Sequence, residues 1–192
     1  IQRKQKSIAV PSLIFEELPL PQRVIRDLAN ENTAKIYVDS REIHGKLKEF
    51  VKEFVPSMND RLLHYPGERP IFDLYNVEDD IQKALQTRVA LKSGGYLMID
   101  QTEAMTTIDV NTGSYVGGRS LEDTVFKTNM EATQVIARQL RLRNLGGIII
   151  IDFIDMAQEA HREAVLQELA KALAFDRTRV TLNGFTSLGL VE

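Results

Sequence analysis

The spacing of hydrophobic and polar positions changes along this chain, and the changes mark its elements. After Ser40, which can cap a helix, Ile43, Leu47, Phe50, Val51 and Phe54 recur at helical spacing as a core stripe, and Pro56 ends the run. Earlier, Val24, Ile25 and Leu28 share one side of a helix that starts after Pro21, with Arg23, Arg26 and Asp27 outside. A short helical turn fits residues 13–18, and residues 35–39 and 61–65 read as short strands. Residues 72–85 read as one helix, with Val77, Ile81 and Leu85 opposite a solvated face of Glu78, Asp79 and Asp80.

From residue 87 the pattern turns to strands. Residues 88–91 and 96–100 flank Ser93, Gly94 and Gly95 and predict a hairpin, and 105–110 predict a further strand. Residues 113–119 are a glycine-rich loop, Ser120 caps the next helix, and Val125, Met130, Val135, Ile136 and Leu140 give that helix an apolar side up to about residue 142. Four isoleucines at 148–151 then predict a strand buried on both faces, at the centre of an α/β sheet. Asp155 can cap a helix over 157–174, and 176–182 and 188–192 read as closing strands around a turn at Asn183 and Gly184. This alternation predicts an α/β chain (mixed α+β) in two sections, 1–84 and 85–192, the second a mixed sheet with helices 120–142 and 157–174 packed on it.

Composition narrows the function. The 192 residues are 43% hydrophobic, enough for a core, and contain no cysteine, so neither a disulfide framework nor a cysteine zinc site is available. No apolar run reaches membrane-span length and no signal peptide opens the chain, so a soluble, cytoplasmic protein is expected. The chain begins at Ile1 and stops within an apolar run, which points to a segment of a longer protein. A net charge of −3 counts against a strongly basic nucleic-acid binder, but not against a nuclease whose metal site needs acids.

Two places carry candidate chemistry. Asp109 and Asn111 stand two apart at the end of one strand and so share a face, and Asp152 ends another. If those strands are neighbours, the carboxylates converge. Two carboxylates with open water positions suit Mg²⁺, which takes phosphate oxygens as further ligands. Read blandly, Asp152 and Asp155 only turn the chain and cap a helix. Arg138, Arg141 and Arg143 form the best basic cluster, either a phosphate-binding rail or an ordinary solvated helix end. His44 reads as surface or partly buried and His161 as surface.

The stretches GGYLMIDQTEAMTTIDVNTG at 94–113 and TNMEATQVIARQLRLRNLGGIIIIDFIDM at 128–156 resemble the catalytic core of the ribonuclease E/G family. The resemblance covers nearly the whole chain, and residues 70–85 and 183–192 are nearer its ribonuclease G branch. It implies an Mg²⁺-dependent endoribonuclease that cuts single-stranded RNA to a 5′-phosphate and a 3′-hydroxyl in RNA processing and decay. Asp109 and Asp152 match the metal-binding aspartates and Asn111 the supporting asparagine. It also implies a DNase I-like catalytic subdomain over 85–192, preceded by part of an RNase H-like subdomain over 1–84. An S1 domain and a 5′-phosphate sensor lie upstream in the family, and paired cysteines that share zinc between protomers lie downstream; none of these is in this chain. Self-association therefore belongs to the full-length protein. A non-catalytic scaffold that binds RNA or protein is the alternative role.

Overall fold

The computed structural model describes residues 16–113, 121–176 and 178–192. The expected glycine-rich loop and its cap at Ser120 lie largely outside these residues, as does the first half of the expected turn at 13–18, and residues 16–18 are not helical. The fold is mixed α/β with two sheets, as the alternation predicts, and the chain divides into two compact units, Ile1–Val77 and Glu78–Glu192.

In the first unit, helices α1 (Leu20–Leu28) and α2 (Arg41–Phe54) pack with a two-stranded parallel sheet, β1 (Ile36–Val38) and β2 (Leu62–His64). Ser40 Oγ accepts a 3.2 Å bond from the Ile43 amide at the start of α2, satisfying one of the helix's free donors. Pro56 follows its last turn and opens a 3₁₀ turn, Pro56–Met58. Ile25, Leu47, Phe50, Val51, Met58 and Leu62 make the core. Phe54 departs from the expected stripe: it is 63% exposed, its ring centroid 5.0 Å from that of Phe50. His44 is half-buried, as expected.

The helix expected over 72–85 is two pieces, α3 (Ile71–Leu74) and α4 (Val77–Ala84). Asn76 separates them at φ 53°, a left-handed conformation that asparagine tolerates and that ends a helix.

In the second unit, β3 (Arg88–Ala90), β4 (Tyr96–Gln101), β5 (Met105–Asn111), β6 (Ile148–Asp152) and β7 (Leu190–Val191) form one sheet in that spatial order. Only β5 and β6 pair in parallel, joined by the crossover helix α5 (Leu121–Leu142). Helix α6 (Glu159–Leu173) packs on α5. Both helices share one core with Leu97, Ile99, Ile108, Val110, Ile151 and Val191. Strand β5 alternates accordingly, with Thr106, Ile108 and Val110 buried and Thr107 and Asp109 exposed.

This one-sided packing corrects the reading of 148–151. They do form a strand, but Ile151 is 4% exposed while Ile148 is 50% exposed, and Ile149 and Ile150 are half-buried. Neither α5 nor α6 covers the opposite face, on which Thr107, Asp109 and Asp152 are exposed. Hydrophobicity alone does not reveal which face will be covered. The expected strand over 176–182 is absent among the described residues, and the closing strand shortens to Leu190–Val191.

Candidate active site

Parallel pairing of β5 with β6 sets Asp109 opposite Asp152. Cα partners in adjacent strands lie about 4.8 Å apart with side chains on the same face. Both aspartates therefore project from the uncovered face, at the carboxyl ends of the two parallel strands, where α/β sheets leave a crevice. Asn111 follows on the same face of β5, and its Nδ2 donates a 2.7 Å hydrogen bond to Asp109 Oδ2. An amide can only hydrogen-bond here and cannot titrate, so its effect is to fix the carboxylate's orientation. The three expected residues, Asp109, Asn111 and Asp152, are thus brought together.

A fourth joins them. Residues 109–112 and 152–155 line a shallow depression of about 290 Å³, and Asp155 is among them. Asp155 does not cap α6, contrary to the sequence reading: the cap position is Gln158, with no side-chain bond. The helix begins two residues later than expected, which frees the Asp155 carboxylate for the depression. The only sequence signal for this was its spacing of three from Asp152. Burial pushes the Asp152 carboxyl above its usual range, and the charges of Asp109 and Asp155 add to the rise. A surplus of negative charge that favours a proton also favours a cation.

The loop after β6 is held from beneath. Asn129 of α5 is fully buried; its Nδ2 donates to the Ile154 carbonyl at 2.8 Å, and its Oδ1 accepts from the Ile154 amide at 3.1 Å. Arg162 Nη1 donates to the Met156 carbonyl at 2.7 Å. Asn129 thereby fixes the backbone between Asp152 and Asp155. Two residues on, the Glu131 carboxylate accepts from the Lys92 and Ser93 amides and ties down the β3–β4 hairpin. Neither role is visible in a single sequence, because Asn129 and Glu131 read as ordinary helix residues.

The basic cluster sits elsewhere. Helix α5 has 22 residues and leads from the end of β5 back to the start of β6. At a rise of about 1.5 Å per residue its last turns lie at the opposite end of the sheet from the aspartates. Arg138 pairs with Asp80 at 3.6 Å, Arg141 donates to the Ala172 carbonyl at 3.2 Å, and Arg143 donates to Gln139 Oε1 at 2.8 Å and to the Gln86 carbonyl at 2.7 Å. All three are engaged with the chain itself. His161, expected on the surface, is partly buried and stacks on Phe126 with centroids 4.2 Å apart.

Two carboxylates, exposed and in register, fit Mg²⁺ better than a fully enclosed metal. Among the described residues no group of three or more His, Cys, Asp or Glu forms a metal cage. Mg²⁺ does not need one, since it is usually held by one or two carboxylates and keeps several waters.

Comparison with known proteins identifies the family. The ribonuclease E/G family model matches residues 1–192. The chain is 61% identical over 179 residues to ribonuclease G of Salmonella typhimurium, covering 93% of this chain and 37% of that protein. It is 57% identical over 192 residues to ribonuclease G of Haemophilus influenzae, covering all of this chain and 39% of that protein. Ribonuclease E of Haemophilus influenzae is 40% identical over 192 residues and is covered to 20% of its length. The chain thus spans well under half of these relatives, and by the full-length family match it belongs to the ribonuclease E/G family.

Proposed function

We propose that this chain is the catalytic portion of an Mg²⁺-dependent endoribonuclease acting on single-stranded RNA. The observation that carries the reading is the register of Asp109 with Asp152 on one uncovered sheet face. Asp109 and Asp152 would hold the ion, with Asn111 fixing the Asp109 carboxylate. Bound there, Mg²⁺ supplies charge neutralisation at the phosphodiester and lowers the pKa of the attacking water. In hydrolysis the water oxygen bonds to phosphorus, the bond to the 3′ oxygen breaks, and that oxygen takes a proton. The products are a 5′-phosphate and a 3′-hydroxyl. The uncovered face gives the strand room to lie across both aspartates.

The same reading assigns 85–192 to a DNase I-like catalytic subdomain and 1–84 to part of an RNase H-like subdomain, in a cytoplasmic protein that self-associates at full length. No helix of the described residues is long and apolar enough to cross a membrane. Arg138 keeps a side chain that is 67% exposed while paired with Asp80, and would meet phosphates away from the cut. The test is to incubate the intact protein with a 5′-monophosphorylated, AU-rich RNA, with Mg²⁺ or with EDTA. Internal cuts that EDTA abolishes and Mg²⁺ restores are expected. RNA that is bound but uncut in Mg²⁺ would overturn this reading in favour of a scaffold.

A further inference from the structure

The uncovered sheet face carries a second arrangement beside the aspartates. Arg88 on the edge strand β3 places its Cζ 4.1 Å from the centroid of the Tyr96 ring on β4. Tyr96 is the register partner of Asn111, and Arg88 is the partner of Met98, which in turn partners Asp109. All of these side chains therefore stand on the face that carries Asp109 and Asp152. At about 4.8 Å per strand, Arg88 lies roughly 10 Å from Asp109 along this row. Arg88 is exposed and has no ion-pair partner among the described residues, so the face of the tyrosine ring is the contact that positions its guanidinium.

We propose that Arg88, backed by Tyr96, is a shelf on which one base of the RNA strand stacks while a neighbouring phosphodiester lies at Asp109 and Asp152. This rests on the reading of those aspartates as the cleavage site. Single-stranded RNA is gripped by unstacked bases on aromatic rings and on guanidinium planes, because every base has a π face. A guanidinium lying on a ring offers its outer plane to such a base, and its N–H edges stay free for the adjoining phosphate. Met98, half-buried between Arg88 and Asp109, gives the strand an apolar floor on the way to the acids. The role is positioning: Arg88 and Tyr96 do not touch the bond that breaks.

The test uses the intact protein and a single-stranded RNA oligonucleotide, with affinity measured in EDTA and steady-state cleavage in Mg²⁺. Arg88→Ala and Arg88→Lys should each weaken binding and raise KM by roughly tenfold, the scale seen on removing stacking side chains, with kcat nearly unchanged. Tyr96→Phe keeps the ring and should behave as wild type, whereas Tyr96→Ala should approach Arg88→Ala. A series of oligonucleotides with one abasic nucleotide should contain a position that weakens wild type but not Arg88→Ala. Wild-type affinity in Arg88→Lys would overturn the stack, since charge alone would then suffice. Wild-type affinity in Arg88→Ala, or the lack of any such abasic position, would overturn it as well. Asp152→Asn separates the two readings: if it cuts normally, the cleavage site is misassigned whatever Arg88 does, and if it no longer cuts while Arg88→Ala binds normally, only the shelf fails.

Discussion

Asn111 donates its side-chain amide to Asp109, and Asp109 in turn stands in parallel register with Asp152. An amide thus steers one carboxylate of a pair that the sheet has already brought together. Replacing Asp109 or Asp152 with asparagine keeps shape and removes a charge. Asn111→Ala keeps both charges and removes only the steering. Loss of such a supporting hydrogen bond typically costs roughly 10–100-fold in activity or metal affinity, so Asp109→Asn and Asp152→Asn should cost more than that. Cleavage rates and thermal midpoints of the three variants in the intact protein check the order; near-normal cutting in either aspartate variant would contradict the site.

Asp155 lines the same depression and its charge reaches Asp152. Because its side chain caps nothing, Asp155→Asn should leave the thermal midpoint within a degree or two, roughly the range of a surface change below 0.5 kcal/mol. It should also raise the Mg²⁺ concentration needed for half-maximal cutting. A Mg²⁺ titration of cleavage decides this, and an unchanged midpoint in that titration would leave Asp155 as a bystander.

Asn129 satisfies both backbone groups of Ile154 from a fully buried position. Asn129→Ala leaves a partly buried donor and acceptor without partners, at a cost of about 1–3 kcal/mol. Asn129→Asp keeps the acceptor and loses the donor, and should fall between. Denaturant unfolding measures the cost. Cutting at a temperature where the variant is still folded should also drop, because the loop between Asp152 and Asp155 is no longer held.

A Cβ built on Gly95 would stand 2.5 Å from the Asn111 carbonyl oxygen. The hairpin turn passes so close to β5 that only glycine fits there. Gly95→Ala should therefore destabilise the fold by about 1–3 kcal/mol and displace Asn111 from Asp109. Calorimetry and cleavage should both register the change, and a silent variant would mean that the two strands can separate without consequence.

Arg138, Arg141 and Arg143 are bound to their own chain and lie away from the aspartates. Arg138→Ala should therefore change the salt dependence of RNA binding by no more than about 0.7 in slope, the share of one phosphate on a single strand. Affinity across a salt series reads this directly. A larger change would reveal a phosphate track along α5.

The sequence by itself determined the elements that repeat a local pattern. The run at 105–110 named a strand and the spacing of two put Asp109 and Asn111 on one face of it, and serine and proline marked the limits of Arg41–Phe54. The likeness of 94–113 and 128–156 to the ribonuclease E/G core pointed to the family. What needed neighbours in space was decided only by the tertiary structure. Four consecutive isoleucines declare a strand but not how many faces are covered, and both helices packed on one side, leaving Ile148 half exposed. Asp155 carried the chemistry of a helix cap until α6 began later and turned it toward Asp152. The arginines read equally as a rail or as a solvated helix end until the crossover helix took them to the other end of the sheet. Arg88 and Tyr96 were unremarkable until hairpin register laid one over the other, because cross-strand proximity depends on pairing that no local window of sequence contains.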